Sequence, residues 1–134
     1  MIALFFGKQG QTMKSPHTGI RRILEALIHS CHGFAATFKS EAAFRQDLAI
    51  FCIGTAVALL LPINALGKGL LISSLIFILL MEAANTAIEV IVDRISEDYH
   101  ELSKKAKDIG SLMVALSLVN AGVIWCVVLV GNFL

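Results

Sequence analysis

Residues 69–92, GLLISSLIFILLMEAANTAIEVIV, join two properties that rarely meet in one segment. The run is almost wholly apolar, yet it carries Glu82, Asn85 and Glu89, and Asp93 follows directly. About 20 residues at ~1.5 Å rise match a hydrocarbon core of ~30 Å, so the length fits a membrane crossing. A buried helix of a water-soluble domain is rarely this long and apolar on every side. Two more segments read the same way. One runs over 42–66, with Leu48–Leu61 (LAIFCIGTAVALLL) free of charge, and the other over 109–132. Pro62 and Asn64 should end the first span, giving spans at 42–62, 69–92 and 109–132. The intervening Pro62–Lys68 turn is short enough to force the first two spans antiparallel.

Composition agrees. The chain has 134 residues, 57% of them hydrophobic, with a mean hydropathy of +0.79. So small a soluble domain needs more polar side chains than this to cover its surface. A net charge of +1 provides no basic field for nucleic acid. Cys31, Cys52 and Cys126 are odd in number and widely spaced, so they read as free thiols. Residues 1–17 read as a flexible extension before one domain over 18–134. The opening MIALFFGKQGQT lacks the basic start, long apolar run and cleavage site of a signal peptide.

Lys and Arg placement sets an expected orientation. Lys8, Lys14, Arg21, Arg22, Lys39 and Arg45 precede the first span, and Arg94, Lys104, Lys105 and Lys107 lie between the second and third. Lys68 alone occupies the other turn. By the positive-inside rule the amino terminus is cytoplasmic and the carboxyl terminus periplasmic. Ile20, Ile23, Leu24, Leu27, Ile28, Cys31 and Phe34 recur at i, i+3, i+4, i+7, predicting an amphipathic helix over 18–38. Such a helix lies in the membrane interface, or packs across the ends of the spans. The fold expected is an all-α membrane protein of three transmembrane helices plus that amino-terminal helix.

The acids in the second span are costly. An ionisable group at mid-bilayer costs at least ~2.5–3.5 kcal/mol on insertion scales, so it must face protein, water or ligand. At ~100° per residue, Glu82, Asn85, Glu89 and Asp93 project from one narrow face. A polar seam between helices is one use for such a face. Chemistry is another. Glu82 and Glu89 stand two turns apart, ~10.5 Å along the axis. The acid nearer the water, Glu89, suits Mg²⁺, a hard cation that prefers oxygen ligands and phosphates. The deeper Glu82 suits acceptance of a proton from a lipid hydroxyl. Residues 93–108, DRISEDYHELSKKAKD, read as a charged loop with His100, Lys107 and Asp108 as nucleotide contacts.

These residues resemble a known family. Glu41-Ala-Ala-Phe-Arg-Gln46, Glu82-Ala-Ala-Asn-Thr-Ala-Ile-Glu89, Val92-Asp-Arg-Ile95, Tyr99-His-Glu-Leu-Ser103, Ala106-Lys-Asp108 and Trp125-Cys126 together resemble the prokaryotic diacylglycerol kinases, over about residues 18–130. The resemblance implies a homotrimer with active sites shared between subunits at the cytoplasmic interface. It implies ATP-dependent phosphorylation of diacylglycerol, with Glu82 as general base and Glu41 and Glu89 holding Mg²⁺. ATP contacts are implied at Arg22, His29, Glu41, Glu89, Asp98, Tyr99, His100, Lys107 and Asp108, with Asn85 and Asp93 supporting the polar face. Lipid contacts are expected at Arg22, Ala43, Phe44, Arg45, Gln46, Glu82, Ser111 and Trp125. His29 stands where the family pattern has a tyrosine, and Asp98 where it has a glutamate.

Other readings have less behind them. No Gly-x-x-x-x-Gly-Lys loop is present, and no protein-kinase His-Arg-Asp or Asp-Phe-Gly set. Phosphoryl transfer chiefly needs positioning and charge neutralisation, which carboxylates, Mg²⁺ and lysine can supply on a helix bundle. His17, His29, His32 and His100 lack the grouping of a zinc site. A transporter or proton relay would need matching polar groups on the other spans, where Asn64 and Asn120 stand alone. Undecaprenol is the alternative lipid alcohol, since a sister family shares the second-span motif. Gly54/Ala58, Ala83/Ala87 and Ser117/Ala121 are expected to be packing surfaces.

Overall fold

A computed structural model describes residues 19–133, and the extension over 1–17 lies outside them. The described residues form four helices and no strand: α1 Ile20–Ser40, α2 Ala42–Leu60, α3 Ala65–Ile95 and α4 Glu101–Phe133. Helices α2, α3 and α4 are long and apolar enough to cross a membrane. The chain divides into two units between Ala36 and Thr37, within α1.

In the first unit α1 opens after Gly19, whose φ of 69° favours a residue without Cβ. Gly19 accepts from the Arg22 amide at 3.1 Å. No residue of α1 is buried, and Ile20, Ile23, Leu24, Leu27 and Ile28 are all more than half exposed.

The second unit is organised around α3, which packs against both α2 and α4. Its core comprises Ala58, Leu71 and Val128, then Leu75, Ile78 and Ala121 one layer along, with Trp125 packed against both layers. Small residues let the helices approach closely. A Cβ at Gly54 would stand 2.7 Å from Leu75 Cδ1, and Ala58 and Ser117 are fully buried. The buried hydroxyls of Ser74 and Ser117 donate to Leu71 O and Val114 O, each at 2.7 Å, so neither lacks a partner. Ala83 and Ala87 are exposed on α3 and take no part in the packing within this chain. The outward faces carry Ile53, Leu60, Leu80, Ile91, Val119 and Val127, all more than half exposed. Burying one such side chain gains about 1.5–3 kcal/mol, so this surface belongs in hydrocarbon rather than water.

Each helix end has an identifiable cause. Glu41 adopts an extended conformation between α1 and α2, and Arg45 Nη1 reaches back to Phe38 O (2.9 Å) and Lys39 O (3.3 Å). That guanidinium satisfies carbonyls left open at the end of a helix. Leu61, the residue before Pro62, is forced to an extended ψ of 137°, which stops α2. Asn64 then caps α3 by accepting from Gly67 N at 2.8 Å, and Lys68 Nζ donates to Leu59 O at 2.6 Å.

The segment 93–108 is not one loop, as expected from its charge. α3 continues to Ile95, α4 begins at Glu101, and only residues 96–100 connect them. Hydropathy marks where a chain meets water, and it does not mark where helical hydrogen bonding stops. Glu101 in the first turn of α4 suits the positive end of the helix, and Lys104 pairs with Asp108 one turn on.

Candidate functional site

The polar face of α3 turns inward between its neighbours. Glu82 is 5% exposed, Asn85 and Thr86 are each 8% exposed, Glu89 is half-buried and Asp93 is exposed. Asn85 Nδ2 donates to Glu89 Oε1 at 3.0 Å, one turn along the helix. The charged neighbours of Glu82 are Asp47, Glu89 and Glu41, so α2 and the α1–α2 junction contribute to the same acidic group. Asp47 was not singled out in the sequence. It follows a motif and precedes an apolar run, and only the antiparallel packing of α2 on α3 reveals it.

At the far end of α3, an open cavity of about 400 Å³ lined mainly by charged and polar residues lies at the turn to α4. Asp93, Asp98, Tyr99, His100, Lys107 and Asp108 line it, together with Ser96, Glu97, Ser103 and Lys104. The structure thus gathers five of the expected nucleotide residues in one place. Lys104, which charge placement alone had marked only for orientation, joins them. Both lysines are paired, Lys107 with Asp93 at 2.5 Å and Lys104 with Asp108 at 2.6 Å. The backbone amide of Asp98 donates to Ser96 Oγ at 3.0 Å, and that hydroxyl lies 3.3 Å from Asp98 Oδ2. His100 Nδ1 accepts from Leu102 N at 3.2 Å and caps α4. With Nδ1 used as an acceptor, the neutral ring carries its proton on Nε2, which leaves a donor for a ligand.

Towards the other end, an apolar groove of about 370 Å³ is lined by Ile50, Ile53, Gly54, Leu75, Ile78, Leu118, Ala121, Gly122 and Trp125. Ile78 precedes Glu82 by one helical turn, so the groove leads up to the buried acid. Trp125 Nε1 is buried and lacks a hydrogen-bond partner. Of the remaining expected lipid residues, Phe44 is buried, Ala43, Gln46 and Ser111 are exposed, and Arg45 is engaged with the α1 carbonyls. Arg22 and His29 are exposed on α1, in the first unit.

The donor set fits a magnesium ion that arrives with phosphates. No group of three or more His, Cys, Asp or Glu is arranged for a metal among the described residues. Mg²⁺ ordinarily uses one or two carboxylates and completes its shell with water and phosphate oxygens. Glu41 makes no side-chain cap hydrogen bond, and Glu89 has one oxygen engaged by Asn85, so both retain lone pairs. Both are hard oxygen donors.

A helical bundle long and apolar enough to cross a membrane, with a buried carboxylate between an apolar groove and a charged cavity, defines a class, that of membrane proteins with a polar site inside the bundle. Comparison with known proteins identifies which. The family model for prokaryotic diacylglycerol kinase matches residues 28–129, and the chain belongs to that family. It is 40% identical to a diacylglycerol kinase of Escherichia coli over 121 residues, 90% of this chain and 99% of that protein. It is 41% identical to one of Pseudomonas aeruginosa over 114 residues, 85% of this chain and 93% of that protein. A diacylglycerol kinase of Haemophilus influenzae is 35% identical over 108 residues, 81% of this chain and 92% of that protein.

Proposed function

We propose that the chain transfers the terminal phosphoryl group of ATP to the free hydroxyl of diacylglycerol, forming phosphatidic acid and ADP. The observation that carries this reading is Glu82. It is a buried carboxylate one turn from an apolar groove and on the same helix face as Glu89 and Asp93. The acyl chains of the lipid occupy hydrocarbon and the groove, which brings the glycerol hydroxyl to Glu82. Glu82 accepts the hydroxyl proton as the oxygen bonds to the γ-phosphorus and the bond from that phosphorus to the β,γ-bridging oxygen breaks. Lys107 and Lys104 exchange their carboxylate partners for phosphate oxygens, and His100 Nε2–H donates to the nucleotide. Glu41 and Glu89 would hold Mg²⁺, which supplies charge neutralisation of the phosphates. Asn85 orients Glu89, and Asp93 holds Lys107 in the cavity until phosphate takes its place.

The family and the apolar helices support placement in a bacterial membrane. The lysine and arginine distribution supports a cytoplasmic amino terminus and a periplasmic carboxyl terminus. α1 lies in the membrane interface, where its exposed apolar residues meet lipid. Three copies assemble and share sites, and the exposed small residues Ala83 and Ala87 are suited to contact a second copy. Thin-layer separation of products tests the reaction, after purified protein meets radiolabelled ATP, Mg²⁺ and a panel of lipid alcohols. Labelled phosphatidic acid is expected, and label confined to undecaprenol would overturn the substrate. Alkaline phosphatase fused at the carboxyl terminus should be active, and the same fusion at Ser96–His100 inactive. The reverse pattern would overturn the orientation.

A further inference from the structure

Gly110 lies buried on α4 against the middle of the acidic face of α3. A Cβ at this position would fall on Asn85 Oδ1, and would stand 3.3 Å from Asn85 Cγ and 3.6 Å from Asn85 Cα. That Oδ1 is buried and has no hydrogen-bond partner, while Nδ2 of the same amide donates to Glu89 Oε1. In glycine a hydrogen takes the place of Cβ, so a Cα–H bond points at the carbonyl oxygen, a weak but directional donor. The amide is therefore set at both ends. Rotating it by half a turn would bring its oxygen to the Glu89 carboxylate, acceptor against acceptor, and its NH₂ against a C–H group.

We infer that Gly110 is a positioning residue for phosphoryl transfer: by lacking a side chain it holds the Asn85 amide in the one orientation that fixes Glu89. The inference deepens the proposed function, since it assigns what keeps a magnesium-binding carboxylate in place. Gly110 differs in this from Gly54, whose missing Cβ makes room for a core leucine. At Gly110 the distance to the Asn85 backbone is an ordinary contact, so an alanine does not require the helices to part. The flexible amide yields instead. Gly110→Ala should fold and lose the orientation of Glu89.

The test is Mg²⁺-dependent binding of a non-hydrolysable ATP analogue to the full chain, beside thermal stability, in a double-mutant cycle. Disturbing the group that orients a metal-binding side chain typically weakens metal affinity about 10–100-fold, and a loss of that order is expected in Gly110→Ala and in Asn85→Ala. Binding without Mg²⁺ should not change. Adding Gly110→Ala to Asn85→Ala should cost nothing further, because the side chain it displaces is gone. That pair also keeps the test decisive if Gly110→Ala alone is unstable. Gly131→Ala, with open space around its Cβ position, is the control. Wild-type binding in Gly110→Ala, or a second loss on the Asn85→Ala background, would overturn the inference. Absence of Mg²⁺-dependent nucleotide binding in the unsubstituted protein would overturn the lipid-kinase reading, and the inference with it.

Discussion

The two halves of α3 run between the same neighbours and bury different chemistries, the first apolar but for Ser74, whose hydroxyl bonds to its own helix. From Leu71 to Ile78 the helix presents leucine and isoleucine to Ala58, Ala121 and Val128. From Glu82 to Thr86 it presents a carboxylic acid, an amide and a hydroxyl, each at most 8% exposed. Packing explains the first half completely. It does not explain the second, because an isosteric apolar stripe would assemble a membrane bundle without the desolvation cost. The contrast teaches that burial alone does not identify a core. Where a bilayer helix could have been apolar and is acidic, the acids need an account other than packing.

The largest difference between the two halves is expected at Glu82. Glu82→Gln keeps size and hydrogen bonding but cannot take the proton of a lipid hydroxyl. A positioned base contributes about 10²–10⁴ in rate, so kcat should fall by roughly that factor while nucleotide affinity and stability hold. Leu71→Ala, in the other half, should do the converse. It should lose about 2–5 kcal/mol of stability, with turnover per folded molecule preserved. Lipid-kinase turnover beside detergent denaturation separates the two. Near-normal turnover in Glu82→Gln would return the acidic half to structural glue.

A smaller effect is expected at Glu89, two turns outward, and at Glu41 before α2. Glu41→Gln and Glu89→Gln each remove a charge while keeping shape, and each should weaken Mg²⁺-dependent nucleotide binding at least about tenfold. Titration of turnover with Mg²⁺ checks this. An unchanged Mg²⁺ requirement in both variants would remove the metal role from these residues.

Much of this arrangement was legible in the residues. Three apolar runs and one acidic face at helical spacing sufficed for the spans and for the inward face of α3. The departures share a physical origin. Residues 93–95 and 101–108 are helical although charged, because a helix crossing a boundary satisfies its own backbone and does not end where lipid ends. Asp47 and Lys104 enter the site through neighbouring helices, and no periodicity within one segment reports a neighbour. Gly110 is silent in sequence for a different reason. Its contribution is the absence of a side chain opposite Asn85, and that meaning exists only once α3 and α4 are packed.

The finest test contrasts the two caps that flank α3. Asn64 starts α3 by accepting from Gly67 N, and His100 starts α4 by accepting from Leu102 N. As devices for closing a helix end they are equivalent. Their surroundings are not: Asn64 adjoins Pro62 and the apolar end of the bundle, whereas His100 lines the charged cavity. Replacing a cap by alanine typically costs about 0.5–2 kcal/mol, so Asn64→Ala and His100→Ala should lower stability by similar small amounts. Only His100→Ala should also weaken nucleotide binding, because it alone removes a donor from the cavity. Denaturation midpoints measured with nucleotide affinity on the same preparations would show this. Equal affinity in the two variants would make His100 a cap and nothing more, and would leave the lysines as the cavity's contacts for phosphate.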